Sequence, residues 1–239
     1  MKLIGYLSNG YPTIASSIDM ANTYSEAGCD IIEIDFPSKD PFLEGEFIAN
    51  RMAKALQECE DYDEYMNGMI KVKKNLPNTS FILLVYENTI EEIGVDKFIT
   101  FCNEYDYKDI ILCGIKDNTI KDKIIDANLR VSCYVQYRMD EKEIEFAKNS
   151  NGFVYLQAKP SCKEEINPYY STLSSCISKL KNDGIDRPIY CGVGIHSPED
   201  ANMAKEAGAD AIFVGSSILK VQDNKQLLIK TIKDFKDEC

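Results

Sequence analysis

The strongest constraint on the fold is the alternation of short apolar runs with longer amphipathic stretches along all 239 residues. The short runs are rich in β-branched side chains, which is typical of buried strands. Eight of these runs occur, at 3–7, 30–35, 81–86, 109–114, 130–135, 152–157, 188–193 and 211–216. Strands that alternate with helices in this way form a parallel sheet.

Helical periodicity fills the segments between the strands and follows the last one. The predicted helical segments are 13–27, 46–75, 91–105, 117–127, 140–149, 168–183, 197–207 and 223–237, of which 46–75 is long enough for two helices. In SPEDANMAKEAGAD, Ser197 is a good N-cap, Pro198 takes the first helical position and Gly208 ends the helix. Eight such units predict an α/β protein, a (β/α)8 TIM barrel that forms a single domain over residues 1–239. An open doubly wound sheet is the alternative.

Charge and hydropathy exclude several classes of partner. The net charge of −12 and the pI of about 4.7 argue against binding to nucleic acid or to an anionic membrane, because repulsion would oppose the encounter. The apolar run at the N-terminus is too short for a signal peptide, and no run approaches the ~18 apolar residues of a spanning helix. We therefore expect a cytoplasmic protein without membrane contact.

The nine cysteines are single, without the close spacing of a zinc site or a redox pair. They are expected to be free thiols, several of them in the core. Cys191 is near the only histidine, His196, but a core position explains it better than a nucleophilic pair does.

Two acidic residues interrupt the second predicted strand, in DIIEIDFPSKDPFLEG. Glu33 and Asp35 are two residues apart, so both carboxylates face one side of the strand, about 6 to 7 Å apart. At the end of a barrel strand they would project into the mouth, where mutual repulsion would raise the pKa of one and favour a general acid. A structural ion pair with a lysine is the alternative for Glu33. Glu44, in the loop that follows, is a third candidate for the same mouth.

Glycine-flanked turns end the last two predicted strands, in CGVGIHS and FVGSSI. In (β/α)8 barrels these two loops commonly hold a phosphate through backbone N–H groups and a helix N-terminus. The predicted site is for a phosphorylated small molecule, and its candidate residues are Gly192, Gly194, Gly215, Ser216 and Ser217, with Val193 in the adjoining pocket. The alternative is that the glycines only form tight turns.

Three more side chains at strand ends could face the mouth. Tyr86 ends the third predicted strand, and Tyr155 lies within the sixth. Each is either a pocket residue or a packed aromatic side chain. Lys159 follows the sixth strand, and a desolvated lysine there could form a Schiff base with a carbonyl substrate.

The order and spacing of these motifs resemble the tryptophan synthase alpha chain family. The family's signature after its second strand reads Glu-Leu-Gly-Ile-Pro-Phe-Ser-Asp-Pro-x-Ala-Asp-Gly-Pro. The segment EIDFPSKDPFLEGE aligns with it without a gap and matches at Glu33, Pro37, Asp40, Pro41 and Gly45. The segments YLSNGYPT, VYENTIEEIGVDKF, GFVYL and GVGIHSPEDANMAKEAGADAIFVGSSILK extend the resemblance over essentially the whole chain.

The resemblance implies a lyase of tryptophan biosynthesis that cleaves indole-3-glycerol phosphate to indole and glyceraldehyde 3-phosphate by a retro-aldol reaction. It implies no metal and no organic cofactor for this step, and a pyridoxal-phosphate beta chain as partner in a heterotetramer. It implies that Glu33 is the general acid and base and that Glu44 replaces the second catalytic carboxylate, an aspartate in the family. Tyr155 matches an active-site tyrosine and Tyr86 a pocket residue, while Gly194, Gly215 and Ser216 match phosphate-binding positions.

Several positions depart from the family pattern. Asp35 replaces a glycine and adds a charge to an apolar indole pocket, and Glu44 is one methylene longer than the aspartate. Gly114 takes the place of an aspartate after the fourth strand, and Lys163 that of a threonine after the sixth. Two alternatives therefore stay open: a barrel aldolase or lyase that acts on another phosphosugar, and a non-catalytic paralogue that binds a phosphorylated ligand and regulates a partner.

Overall fold

The structure is a computed structural model that describes residues 1–161 and 166–239; Cys162 and Lys163 lie outside the described residues. All eight predicted strands are present, with ends that differ from prediction by up to two residues. They are β1 (Lys2–Leu7), β2 (Ile31–Asp35), β3 (Ser80–Tyr86), β4 (Asp109–Cys113), β5 (Arg130–Val135), β6 (Val154–Gln157), β7 (Ile189–Gly192) and β8 (Ala211–Val214).

The strands follow one another in sequence order around a closed barrel. Parallel ladders join β2 to β3 and β3 to β4, and likewise β5 to β6, β6 to β7 and β7 to β8. The prediction of a (β/α)8 TIM barrel is confirmed, and the open doubly wound sheet is wrong because such a sheet has two free edges.

Helices separate and follow the strands. They are α1 (Ile14–Ala27), α2 (Glu46–Glu58), α3 (Tyr62–Asn75), α4 (Glu87–Ile93), α5 (Val95–Glu104), α6 (Asn118–Asp126), α7 (Glu141–Lys148), α8 (Leu173–Asn182), α9 (Pro198–Ala207), α10 (Ser216–Leu219) and α11 (Lys225–Glu238). In the part of the chain that the structure describes, no helix has the length and apolarity needed to cross a bilayer.

Two predicted helices and the end of one predicted strand need correction. The segment 91–105 is not one helix, because Gly94 adopts φ +94° and separates α4 from α5. The segment 168–183 becomes helical only at Leu173, where Thr172 and Ser175 form a reciprocal capping box. The short α10 begins at Ser216, which sequence reading assigned to the end of the last strand.

The described residues form two compact units, Gly5–Val131 and Met1–Ile4 with Ser132–Cys239. In the first unit, Phe36 follows β2 and packs edge-on against Phe98 and Phe101 of α5, with ring centroids 5.9 and 6.4 Å apart. Because side chains alternate along a strand, Glu33 and Asp35 lie on the opposite face of β2 from Phe36.

The second unit has a core of aromatic rings drawn from successive strands. Tyr155 on β6 stacks on Phe213 of β8 with centroids 4.3 Å apart, and Phe153 stacks on Tyr190 of β7 at 4.4 Å. Tyr134 of β5 meets Tyr155 edge-on at 5.3 Å. The barrel strands of this unit are therefore fixed by ring contacts as well as by their ladders.

The eight described cysteines are free thiols and five are buried, which confirms the prediction for these residues. Burial raises the pKa of the Cys191 thiol to about 12, so this side chain is not a thiolate nucleophile at neutral pH.

Candidate active site

The two acids of β2 are buried side chains of the first unit. Glu33 is 3% exposed and Asp35 is 1% exposed. The predicted arrangement of two carboxylates on one face of the second strand is confirmed. Their surroundings differ, however, and that difference separates their roles.

Asp35 is held by hydrogen bonds to both of its oxygens. The Tyr6 hydroxyl donates to Oδ2 at 2.5 Å, and the backbone N–H of Asn9 donates to Oδ1 at 2.6 Å. Burial raises the pKa of Asp35 to about 7, while these two bonds and the charge of Arg51 act in the opposite direction. Asp35 thus connects β2 to the end of β1 and to the loop after it.

Glu33 has no such partner. Its carboxyl makes no hydrogen bond or ion pair to any described residue. Burial raises its pKa well above the ordinary value of 4.5, and the nearby charges of Glu44 and Asp35 raise it further. The ion pair with a lysine is absent from the described residues, and both burial and the neighbouring acids favour the protonated form of the Glu33 carboxyl.

Glu44 is positioned by Tyr86, at the end of β3. The Tyr86 hydroxyl donates to the Glu44 carboxylate and accepts the backbone N–H of Leu43 at 3.2 Å. The ring of Phe42 meets that of Tyr86 edge-on at 5.7 Å. A Cβ at Gly114 would lie 3.2 Å from the Phe42 ring, so the glycine at this position leaves room for the loop. The structure therefore brings Glu33, Asp35, Glu44 and Tyr86 together, as the sequence predicts.

Arg51 is a member of this cluster that sequence reading missed. It is only 6% exposed, donates from Nε to Ser8 Oγ at 3.0 Å and stacks over the Tyr11 ring, 3.8 Å from the centroid. The sequence contains a signal for Arg51, because this charged residue lies next to Met52 on the buried, mostly apolar face of α2. Tyr6 and Asn9 were also missed, although polar residues at the end of a barrel strand are natural candidates.

The raised pKa of Asp35 predicts how stability depends on pH. The folded state retains this proton to about pH 7, whereas the unfolded chain loses it near the ordinary value of 3.8. The resulting stabilisation is complete below pH 4 and is lost as pH rises through 7. Between pH 5 and 8 we expect the free energy of unfolding to fall about 2 to 3 kcal/mol more in the wild type than in Asp35→Asn. Urea unfolding at several pH values measures this, and parallel curves for the two proteins would contradict it.

The predicted phosphate loop after β7 lies in the second unit. Gly192 ends β7, and a Cβ there would lie 2.5 Å from the ring of Tyr155. Val193 follows with φ +52° and is 52% exposed, and Gly194 has φ +105°. A Cβ at Gly194 would lie 2.7 Å from that of Lys159, so close neighbours require a glycine at both positions. The positive φ of Gly194 favours a glycine there as well.

The N-terminus of α9 is already occupied by a carboxylate of the protein. Asp200 accepts the backbone N–H groups of His196 and Ser197 at 2.8 and 3.1 Å. The Lys159 ammonium pairs with the other oxygen of Asp200. A bound phosphate would therefore depend on the N–H groups of the Gly194 turn and of the next loop.

That next loop joins β8 to α10 through Gly215. α10 begins at Ser216 without a side-chain cap, and the Ser217 hydroxyl donates to the carbonyl of His196 at 3.0 Å. The loops after β7 and β8, which contain the predicted phosphate residues, are thus connected by a direct hydrogen bond.

Lys159 does not have the surroundings of a Schiff-base lysine. Its side chain is 43% exposed and paired with Asp200. A lysine activated for attack on a carbonyl is instead desolvated or placed beside another cation.

Comparisons with known proteins agree with the resemblance read from the sequence. A family model described as "Tryptophan synthase alpha chain" matches residues 1–239. Relatives with that name from Caldicellulosiruptor saccharolyticus and Leptospira biflexa are each 29% identical; the alignments cover 98% and 93% of this chain and 91% and 86% of theirs.

Solved structures agree in fold. Tryptophan synthase from M. tuberculosis in an aminoacrylate-bound form has a TM-score of 0.84 at 21% identity, covering 99% of this chain and 92% of that one. The tryptophan synthase subunit alpha from Campylobacter jejuni has a TM-score of 0.83 at 22% identity, covering 98% and 95%. At this level of identity the structural similarity concerns the fold alone.

Proposed function

The chain belongs to the tryptophan synthase alpha chain family, and we propose how its own residues cleave indole-3-glycerol phosphate to indole and glyceraldehyde 3-phosphate. The observation that carries the proposal is the state of Glu33. It is a buried carboxyl without a partner among the described residues, and two neighbouring acids favour its protonated form. A group of this kind can donate a proton at neutral pH and is a strong base once it has done so.

Glu33 performs both proton transfers of the retro-aldol reaction. Its carboxyl first protonates C3 of the indole ring, which places a positive charge on the ring. The resulting carboxylate then takes the proton of the glycerol hydroxyl next to the ring. The carbon–carbon bond breaks, its electron pair returns to the ring, and the hydroxyl carbon becomes the aldehyde of glyceraldehyde 3-phosphate. Glu33 ends the cycle protonated, as it began.

Glu44 stabilises the positive charge on the ring as its carboxylate. Burial raises the pKa of Glu44, and the Tyr86 hydroxyl acts against this by donating to the carboxylate. The role suits a half-buried anion, because in surroundings of low dielectric constant its attraction to a cation is strong. Tyr86 thus fixes the orientation of Glu44.

The phosphate is assigned to the backbone of the Gly194 turn and of Gly215 and Ser216. Ser217 supports this site through its bond to His196. Gly192 admits the ring of Tyr155, which we assign to the pocket together with Val193. These assignments come from family membership and from the conformations that the two loops adopt.

We also propose a beta chain as partner in a heterotetramer and a cytoplasmic location. Phe42 and Leu43, in the loop after β2, are each 62% exposed and offer the apolar surface that a protein interface requires. The loop also contains Glu44, so a docked partner would hold this carboxylate in position.

The test is release of indole from indole-3-glycerol phosphate by the purified chain, with and without a beta chain. We expect indole to appear, more of it with the beta chain, and none from dephosphorylated indole-3-glycerol at the same concentration. If no indole forms under either condition, the substrate assignment is wrong. Equal turnover of the dephosphorylated compound would refute the phosphate site alone.

A further inference from the structure

Asn9, whose backbone N–H binds Asp35 of β2, also has an unsatisfied hydrogen-bond donor in its side chain. It lies two residues beyond the end of β1 and is 4% exposed. Its side-chain Nδ2 is buried and has no hydrogen-bond partner among the described residues. A buried amide of this kind is costly for the folded protein, and a hydrogen bond to a ligand would offset that cost.

The backbone places Asn9 beside the catalytic acids. Its N–H donates to Asp35 Oδ1 at 2.6 Å, and Asp35 shares a face of β2 with Glu33. The second oxygen of Asp35 is taken by Tyr6, so Asp35 is fully occupied in holding this part of the chain. Glu33 and the Asn9 amide are therefore the polar groups of the cluster that have no partner among the described residues.

The chemistry of the proposed substrate indicates which of its atoms can accept a hydrogen bond from Asn9 Nδ2. Indole carries a single N–H donor and no hydrogen-bond acceptor in the plane of its ring. The phosphate is assigned to backbone N–H groups of the loops after β7 and β8. The oxygens of the glycerol chain are the acceptors that remain for an amide N–H.

We propose that Asn9 is a catalytic residue of this chain, whose Nδ2–H donates a hydrogen bond to the glycerol hydroxyl oxygen that becomes the aldehyde oxygen. This inference rests on the proposed function and adds a group to it. When Glu33 removes the hydroxyl proton, negative charge develops on this oxygen and a fixed donor stabilises it. Asn9 keeps its own protons, the hydroxyl proton goes to Glu33, and the electron pair of the broken bond goes to the ring. Asp35 is the positioning residue that holds Asn9.

The test compares two ligands that differ only in the oxygens at issue. Affinities are measured for indole-3-glycerol phosphate and for indole-3-propyl phosphate, which lacks both glycerol hydroxyls, with Glu33→Gln as the background so that no cleavage occurs. We expect Asn9→Ala to weaken binding of the first ligand roughly tenfold and of the second less than about twofold. In the otherwise wild-type chain, Asn9→Ala should lower kcat by a further factor on the order of 100.

A matched control and a stability measurement distinguish the loss of a contact with the ligand from a structural effect of the substitution. Ser132→Ala removes another buried side-chain oxygen that has no partner among the described residues, on β5, and should change neither affinity nor kcat. The thermal midpoint of Asn9→Ala should stay unchanged or rise, because an unsatisfied buried donor has been removed.

Equal weakening of both ligands, no weakening of either, or a clear fall in the midpoint would overturn the role of Asn9. The proposed function is judged separately, from indole release by the wild type and its loss in Glu33→Gln. The proposed role of Asn9 can therefore be wrong while the lyase activity is confirmed. If the chain does not cleave the substrate, the comparison of the two affinities still tests whether Asn9 contacts the glycerol oxygens.

Discussion

Glu33→Gln should lower kcat for cleavage of indole-3-glycerol phosphate by a factor on the order of 100 to 10,000. Glutamine has nearly the size of glutamate but cannot supply or accept the proton that the two steps share. The carboxyl makes no hydrogen bond or ion pair to the described residues, so replacing it should not disturb the packing. Steady-state kinetics should show the loss in kcat, with little change in KM. The retained affinity for indole-3-propyl phosphate would show that the site is still formed.

Replacing any buried carboxylate of raised pKa could change the activity through an effect outside the active site. Glu143 provides the control for such an effect. Burial also raises its pKa, but its oxygens accept the backbone N–H of Gln136 at 2.8 Å and the side-chain Nε2 at 2.9 Å. Glu143→Gln is expected to keep nearly wild-type kcat. If both variants lose activity equally, or Glu33→Gln retains it, Glu33 is not the group that moves the protons.

The sequence was sufficient to predict the barrel because its signals are local and repeated. Each strand is a short apolar run, and most helices have their own start or stop signal, as with Ser197 and Gly208 around α9. The errors occurred where one residue outweighs the average of its neighbours. Gly94 breaks a periodic segment in two, and the cap at Thr172 starts α8 five residues later than its periodicity suggests.

The acids of the site were predictable for a similar reason. Charged residues on an apolar strand are conspicuous, and the alternation of side chains fixes the face on which Glu33 and Asp35 lie. The hydrogen-bond partners of Asp35 were not predictable, because Tyr6 is 29 residues and Asn9 is 26 residues distant in sequence. A hydrogen bond between neighbouring strands depends on their register, which the apolar pattern of either strand alone does not determine. The division of roles between an occupied Asp35 and an unpartnered Glu33 is therefore visible only in three dimensions.

Replacing Glu44 by glutamine is the second change for which we expect a large loss, on the order of 100-fold in kcat. The carboxylate is assigned to the cation formed when C3 of the ring is protonated, so its charge matters mainly in the transition state. Loss of the charge should therefore lower kcat and kcat/KM together. Glu44→Gln keeps the side-chain length and retains an oxygen that can accept from Tyr86, which limits the change to the charge.

Two companion variants separate the charge of Glu44 from its position. Tyr86→Phe removes the hydroxyl that donates to Glu44 and accepts from Leu43, and should lower kcat by a smaller factor, about 10-fold. Glu44→Asp introduces the aspartate that the resemblance to the family implies at this position, but it withdraws the carboxylate by one methylene from the Tyr86 hydroxyl. Its kcat should therefore fall between those of the wild type and Glu44→Gln. If Glu44→Asp instead exceeds the wild type, the longer side chain is poorly placed for this substrate. If Glu44→Gln retains full activity, the cation is stabilised elsewhere, and Asp35 becomes the carboxylate to test.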